Sequence, residues 1–446
     1  MEMYDVDLDN VIGAIYGKST PSKSTAVLTK DTVGLFDFVK IDNTLAQIED
    51  VTITSNVSIE DATDIANGKN MDSHYDVLAK LDIIGDINAG ISERLIPLMP
   101  SSKLELATSQ QIGDYLGFTM DEGKANIGHL KRRDDVPIVL DTQWFDKHIS
   151  IMGMTGAGKS NLSKIILSTM QKTMTTPIII IDPHGEYEGD IIEIDTMVIN
   201  TQDITVSDVT DAMEEVLSRS EMDTFMDIVR TAPHSSTIKK KGLTGLDALI
   251  ECCQDFYVRG ASRYRKKLIA VATNLGVSQH IKNRMKAHWG SVPLVINLKG
   301  MKYEDAELIV KNVAETVLEL GKEGKPLITF IDEVQNYCSQ KRKNLSKDAI
   351  ITLISEGRKF GCGVVIMSQR PAKVDKDIIS QCNTKFCLKL TNENDIKQVR
   401  ASTEYATRQM FQEVQKLSIG EALLTSPWLK RPVFIKVDEF IEKESE

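Results

Sequence analysis

Along this chain the spacing of apolar residues changes character near residue 136. Before that point the apolar runs are short and alternate. Val11-Ile12-Gly13-Ala14-Ile15-Tyr16-Gly17 is a β-type run bounded by glycine, Gly34-Leu35-Phe36-Asp37-Phe38-Val39-Lys40-Ile41 alternates apolar with polar, and Val51-Thr52-Ile53-Thr54 repeats the signal. Period-2 alternation marks half-buried strands. Residues 72–86 are more mixed. Short strands with Gly, Asp and Asn between them predict a small β-barrel over residues 1–100. Residues 101–135 read as a connector that carries Gly113, Gly117, Gly123 and Gly128 and ends in Lys131-Arg132-Arg133.

From Val136 onward, continuous apolar runs alternate with long helical stretches. That pattern predicts an α/β domain with a mostly parallel sheet. Its clear strands are Ile149-Ser150-Ile151-Met152, Ile178-Ile179-Ile180-Ile181, Leu294-Val295-Ile296-Asn297-Leu298, Leu327-Ile328-Thr329-Phe330-Ile331 and Gly363-Val364-Val365-Ile366-Met367. Runs so continuously apolar suit strands covered on both faces. Between the second and third lies a stretch with helical spacing, in Val209, Ala212, Met213, Val216 and Leu217 and again in Leu268, Val271, Ala272 and Leu275. It predicts an inserted helical bundle over residues 202–290. The α/β core is then residues 136–201 and 291–446, with a frayed tail at 441–446.

Composition narrows the class without naming a function. A chain of 446 residues holds two or three domains. With 41% hydrophobic and 26% charged residues it is an ordinary soluble globular protein. No apolar run reaches the roughly 18 residues that span a bilayer. The acidic start Met1-Glu2-Met3-Tyr4-Asp5 lacks the apolar core of a secretory signal. A cytoplasmic protein with no membrane partner is therefore expected. The 6 cysteines, from Cys252 to Cys387, contain no Cys-x-x-Cys pair, which argues against a disulfide framework and against zinc. Free thiols in a reducing compartment are the expectation. A net charge of −11 disfavours a surface coated in basic residues for binding nucleic acid, though not a local basic channel.

The chemistry sits at the ends of the predicted strands. Gly153-Met154-Thr155-Gly156-Ala157-Gly158-Lys159-Ser160 has the Gly-x-x-x-x-Gly-Lys-Ser pattern, and it follows one strand and opens a helix over 161–172. Its glycines let backbone N–H groups cradle phosphates, Lys159 reaches the β and γ phosphates, and the Ser160 hydroxyl ligates Mg²⁺. The chain is thus expected to bind ATP with Mg²⁺. A second strand ends in Asp332-Glu333, where Asp332 is placed to hold the Mg²⁺ water shell and Glu333 to polarise the attacking water. A third runs into Asp182-Pro183-His184-Gly185-Glu186-Tyr187. There Asp182 and Glu186 could position water or metal and His184 could sense the γ-phosphate; the ordinary alternative is a turn with satisfied hydrogen bonds. Gln369 of Ser368-Gln369-Arg370-Pro371 could bond the γ-phosphate or its attacking water. Arg358 of Ser355-Glu356-Gly357-Arg358-Lys359-Phe360-Gly361 is a candidate arginine finger acting across a subunit boundary, with Arg370, Arg400 and Arg431 as rivals. Three basic runs remain: Lys239-Lys240-Lys241, Arg263-Tyr264-Arg265-Lys266-Lys267 and Lys341-Arg342-Lys343. Such runs are usually solvated faces, and the third is the favoured pore loop because it leaves the active-site edge without entering a helix.

Taken together, the P-loop, Asp182-Pro183-His184-Gly185-Glu186-Tyr187, Asp332-Glu333-Val334-Gln335, the Arg358 segment and Ser368-Gln369-Arg370-Pro371 resemble the HerA family of the HerA–FtsK superfamily. The resemblance covers nearly the whole chain. It implies a RecA-like P-loop core, with residues 1–100 as the small barrel that precedes it in that family. It also implies a homo-hexameric ring that threads double-stranded DNA and moves along it by ATP hydrolysis. The implied partner is a NurA-like nuclease or another effector docked on the barrel, in DNA end processing or in defence against phage. The alternative is a scaffold, in which an ATP-regulated ring assembles and activates an effector.

Overall fold

The computed structural model describes residues 10–30, 33–55, 66, 75–87, 95–118, 124–187, 197–198, 206–243, 245–254, 260–272, 275, 293–404 and 406–440. The chain divides into two compact units. The smaller comprises Met1–Thr119, Gly128–Val139 and Val433–Ile435, and the larger the remainder.

Six strands of the smaller unit close into a barrel. They are β1 (Val11–Tyr16), β2 (Lys23–Leu28), β3 (Phe38–Ile41), β4 (Thr44–Ser55), β5 (Tyr75–Asp86) and β6 (Lys103–Leu106), in the order β1-β2-β5-β4-β3-β6. Alternation along the strands places Ile12, Ala26, Val39, Ile41, Ile48, Leu81 and Leu104 in one buried core. Gly13 is required by close approach, since a Cβ there would lie 2.2 Å from the Val27 carbonyl oxygen. β6 and the helix Ser109–Leu116 come from the stretch expected as a connector. β6 pairs with both β1 and β3, which removes the edges an open sheet would expose. Its four residues carry too short an alternation to stand out in sequence. The helix is capped at its start by Thr108 and Gln111 and at its end by Gly117 in the left-handed region.

The second sheet has 11 strands. They are β7 (Lys124–Leu130), β8 (Arg133–Asp141), β9 (Ile149–Met152), β10 (Ile178–Asp182), β11 (Met197–Val198), β12 (Leu294–Asn297), β13 (Ile328–Ile331), β14 (Gly363–Ser368), β15 (Thr384–Leu388), β16 (Glu421–Thr425) and β17 (Val433–Val437). The order is β11-β12-β10-β13-β14-β9-β15-β16-β17-β7-β8. The run from β11 to β15 is parallel throughout, while β16 pairs with β15 antiparallel. β9, β10, β13, β14 and β15 are buried along their whole length, as their apolar runs require. The chain skips two places between β9 and β10, and β13 and β14 later fill them. The loops leaving these four strands therefore emerge side by side on the carboxyl edge, where open α/β sheets bind ligands.

Helices Val206–Val216, Arg219–Thr231 and Gly245–Cys252 fall in the expected insertion, the rest of which lies partly outside the described residues. They share a core with Met213, Phe225, Tyr264 and Leu268. Val216, read from its spacing as a core position, is exposed. The tail at 441–446 lies outside the described residues. No helix among the described residues is long and apolar enough to cross a membrane. All 6 cysteines are free and buried.

His148 locks the start of β9. It is buried, takes a φ of 54°, and its Nε2 lies 2.8 Å from the Ile354 carbonyl oxygen while its Nδ1 accepts from the Val364 N–H at 3.0 Å. That pattern fixes a neutral ring. Burial pushes its pKa down to about 4. A histidine whose folded pKa is depressed contributes stability that is fully present above pH 6.5 and is lost as pH falls toward 4. In urea titrations, acidifying from pH 7 to pH 4 is expected to cost the wild type on the order of 3 kcal/mol more than a His148→Gln variant.

Candidate active site

The P-loop leaves the buried strand β9 and turns into the helix Lys159–Thr173. Gly156 and Gly158 take φ of 75° and 102°, which a side chain rarely adopts. The N–H groups of the first helical turn are left without intrahelical partners and face the loop's concave side. Lys159 Nζ donates to the Met154 carbonyl at 3.2 Å, across the mouth of the loop. The Ser160 hydroxyl donates to Glu186 at 3.1 Å.

Lys159, Ser160, His184, Glu186, Asp332, Glu333 and Gln369 line one cleft of about 300 Å³, at whose wall Tyr187 meets the Ser163 hydroxyl at 3.0 Å. Asp332 and Glu333 are buried, and both sit close enough to Lys159 to act on its charge. Burial, and next the neighbouring Glu333, push the Asp332 carboxyl up to about 7. Burial also pulls the Lys159 ammonium down, against the attraction of Glu333, Asp332 and Glu186. Three carboxylates thus share one lysine.

Glu333 is held in the left-handed region, at φ 48° and ψ 45°. A non-glycine residue there stores strain, which persists only where its surroundings fix it. Two amides do so. Gln369 Nε2 donates to one carboxylate oxygen of Glu333 and Gln335 Nε2 to the other. Hydroxyls orient both amides, since Thr155 of the P-loop donates to the Gln369 oxygen and Ser368 to the Gln335 oxygen at 2.6 Å. Gln369 therefore ties the phosphate loop to the carboxylate beside it.

Other candidates are placed differently. Asp182 is fully buried, and its carboxylate accepts from the N–H groups of His184 at 3.0 Å, Gly185 at 2.8 Å and Tyr187 at 3.0 Å. It pins the turn that carries His184 and Glu186. Arg358 lies in the turn Gly357–Phe360, ahead of β14, whereas Gln369 follows that strand. Six residues of strand, about 20 Å, separate it from the edge its own P-loop occupies. It is exposed and has no ion-pair partner among the described residues. Arg370 pairs with Asp395 at 3.5 Å, and Arg431 lines a separate cleft. Arg342 lies over the Tyr303 ring at 3.9 Å, while Lys341 and Lys343 are exposed. Their loop is anchored by Asn344, whose amide nitrogen bonds Glu307 at 2.7 Å, the Tyr303 hydroxyl at 2.6 Å and the Asn336 carbonyl at 2.8 Å. Sequence reading missed Asn344, Thr155 as the partner of Gln369, and Gln335 as a second clamp. Only Gln335 had a local signal, two residues after Glu333.

Asp332 carries a stability cost that can be measured. A carboxyl whose folded pKa is raised above its unfolded value stabilises the fold below about pH 4 and loses that contribution as pH rises through 7. Without nucleotide, Asp332→Asn is expected to raise the thermal midpoint at pH 8, and the gain is expected to shrink toward zero by pH 4.

Comparison with known proteins follows the same lines. The family model described as Helicase HerA, central domain, matches residues 125–386. A probable helicase of Methanocaldococcus jannaschii is 26% identical, over 98% of this chain and 92% of that one. The DNA double-strand break repair helicase HerA of Sulfurisphaera tokodaii is 23% identical, over 96% of this chain and 93% of that one. Among solved structures, the bacterial conjugative coupling protein TrwB aligns with a TM-score of 0.47 and 14% identity, covering 75% of this chain and 94% of that one. With more than half of its length matched by that model, and with a P-loop, a paired-carboxylate strand and a glutamine strand side by side on one sheet edge, the chain belongs to the HerA helicase family.

Proposed function

We propose that this protein is an ATP-driven motor that moves along double-stranded DNA as a homo-hexameric ring and works with an effector docked on its barrel. The observation that carries this reading is Glu333, clamped by Gln369 and Gln335 in the same cleft as Lys159. Such a carboxylate is built to take a proton from water attacking a phosphate held by the loop. The DNA substrate is supported by relatives named as DNA repair helicases.

The residues divide the work as follows. The N–H groups of residues 156–160 hold the β and γ phosphates of ATP, and Lys159 turns from the Met154 carbonyl to meet them. Glu333 orients the attacking water for in-line displacement. Ser160 and Asp332 would hold Mg²⁺, and the acid cluster fits one, because Asp332, Glu333 and Glu186 face a single lysine. The ion supplies charge neutralisation at the β and γ oxygens. Glu186 and His184 stand at the cleft wall, where His184 can read the γ-phosphate. Gln369 passes its loss to the P-loop through Thr155. Arg358 lies on the opposite sheet edge and so serves a neighbouring copy's site, offsetting charge that develops in the transition state. Lys341 and Lys343 are the side chains placed to follow DNA phosphates.

Exposed Tyr75, Leu95, Ile96 and Met99 on the barrel unit support an effector there, whether a NurA-like nuclease or another enzyme. They equally favour the second reading, an ATP-regulated scaffold. In that case Glu333→Gln would leave effector activity intact, whereas a motor-dependent effector would lose it.

In the assembled protein, Glu333→Gln is expected to lower DNA-stimulated ATP hydrolysis by about 10³ while ATP still binds. Lys159→Ala is expected to abolish hydrolysis. Unchanged turnover in both would overturn the site. Arg358→Ala is expected to cost about 10³ in turnover. Mixing Arg358→Ala with Glu333→Gln subunits is then expected to restore measurable turnover, because some interfaces regain one intact half from each. No recovery in mixed rings would place the arginine's action within its own subunit.

A further inference from the structure

A second cleft lies away from the candidate nucleotide site. It has a volume of about 450 Å³ and shares no residue with the P-loop cleft. It opens where β15 begins and β16 ends, the sheet edge opposite the P-loop. Lys430 and Arg431 line it, with Ser402, Thr425 and Ser426 and a single acid, Glu404.

Lys385 lines it too and is 5% exposed, the only lysine or arginine so buried among the described residues. Its ammonium has three N–H groups. Among the described residues the Cys382 carbonyl takes one, and no carboxylate lies within ion-pair distance. Its register partners are Ser150 on β9 and Thr425 on β16, so a polar row crosses three strands of the sheet. The Ser150 hydroxyl, buried and on that row, also has no partner among the described residues. Burial pulls the Lys385 pKa down, against a smaller opposing pull from Cys382 and Glu404. Buried charges persist where they are paired. A buried ammonium with two unused donors at the wall of a cleft with two further cations is half of an ion pair.

We propose that this cleft binds a phosphate-type oxyanion, with Lys385 at its floor and Lys430 and Arg431 at its rim. The cleft is of a size to take inorganic phosphate or the phosphate end of a mononucleotide. The cleft shares no lining residue with the P-loop cleft of the same subunit, and the test rests on the reading of Lys159 as part of that P-loop site.

The test removes P-loop binding first. Inorganic phosphate and, separately, AMP are titrated by calorimetry into the assembled full chain carrying Lys159→Ala, and into Lys159→Ala/Lys385→Met. Methionine keeps the length of the side chain and removes the charge. The expected result is saturable binding to the first protein and at least tenfold weaker binding to the second, with loss of the thermal stabilisation that phosphate gives. Tighter binding of AMP than of phosphate identifies a nucleotide as the source; equal affinities identify free phosphate. If the double variant does not fold, Arg431→Gln in the Lys159→Ala background is expected to weaken phosphate binding in the same way. Absence of a saturable heat with either probe, or binding that neither substitution weakens, overturns the proposal and leaves water as the partner of Lys385.

Discussion

Crowding of carboxylates around Lys159 is the constraint on which the rest of the active site depends. Asp332, Glu333 and Glu186 all act on that one ammonium, and two of them are buried. Buried like charges repel, so three carboxylates around one lysine leave the cleft short of positive charge. Nucleotide-bound Mg²⁺ and a neighbour's arginine are what the proposed mechanism adds. The pKa of about 7 at Asp332 expresses the same deficit. Activity and stability pull in opposite directions at this strand end.

The skip from β9 to β10 turns four separate sequence motifs into one site. Had β10 paired beside β9, the loop of Asp182 would lie against the P-loop, with Asp332-Glu333 and Gln369 farther off. With β13 and β14 between them, the carboxylates and the glutamine fall next to the phosphates. The same parallel arrangement sends Arg358 to the far edge, because it precedes β14 as Gln369 follows it.

Much of this was legible in the sequence because it is local. Gly153 to Ser160 form a contiguous pattern, and the strand runs before Asp182, Asp332 and Gln369 are long enough to read as buried. The α/β class and the small barrel followed from a change in apolar period. What escaped depends on contacts between distant segments. Asn344 gains its meaning only where Glu307, Tyr303 and Asn336 converge. Lys385 looks like any lysine until its neighbours Ser150 and Thr425 are known. The role of Asp182 depended on which atoms its carboxylate meets, and these proved to be backbone amides. β6 was too short to announce the barrel's closure.

The two glutamines around Glu333 are polar connectors with a fixed sense. Each takes a hydroxyl hydrogen on its oxygen and gives an amide hydrogen to the carboxylate. Direction therefore runs inward from Thr155 and from Ser368, and it ends on the two oxygens of one side chain. Each oxygen accepts one of these N–H groups and keeps a second lone pair. One arm thus links Glu333 to Thr155 of the P-loop, and the other links it to Ser368 at the end of β14.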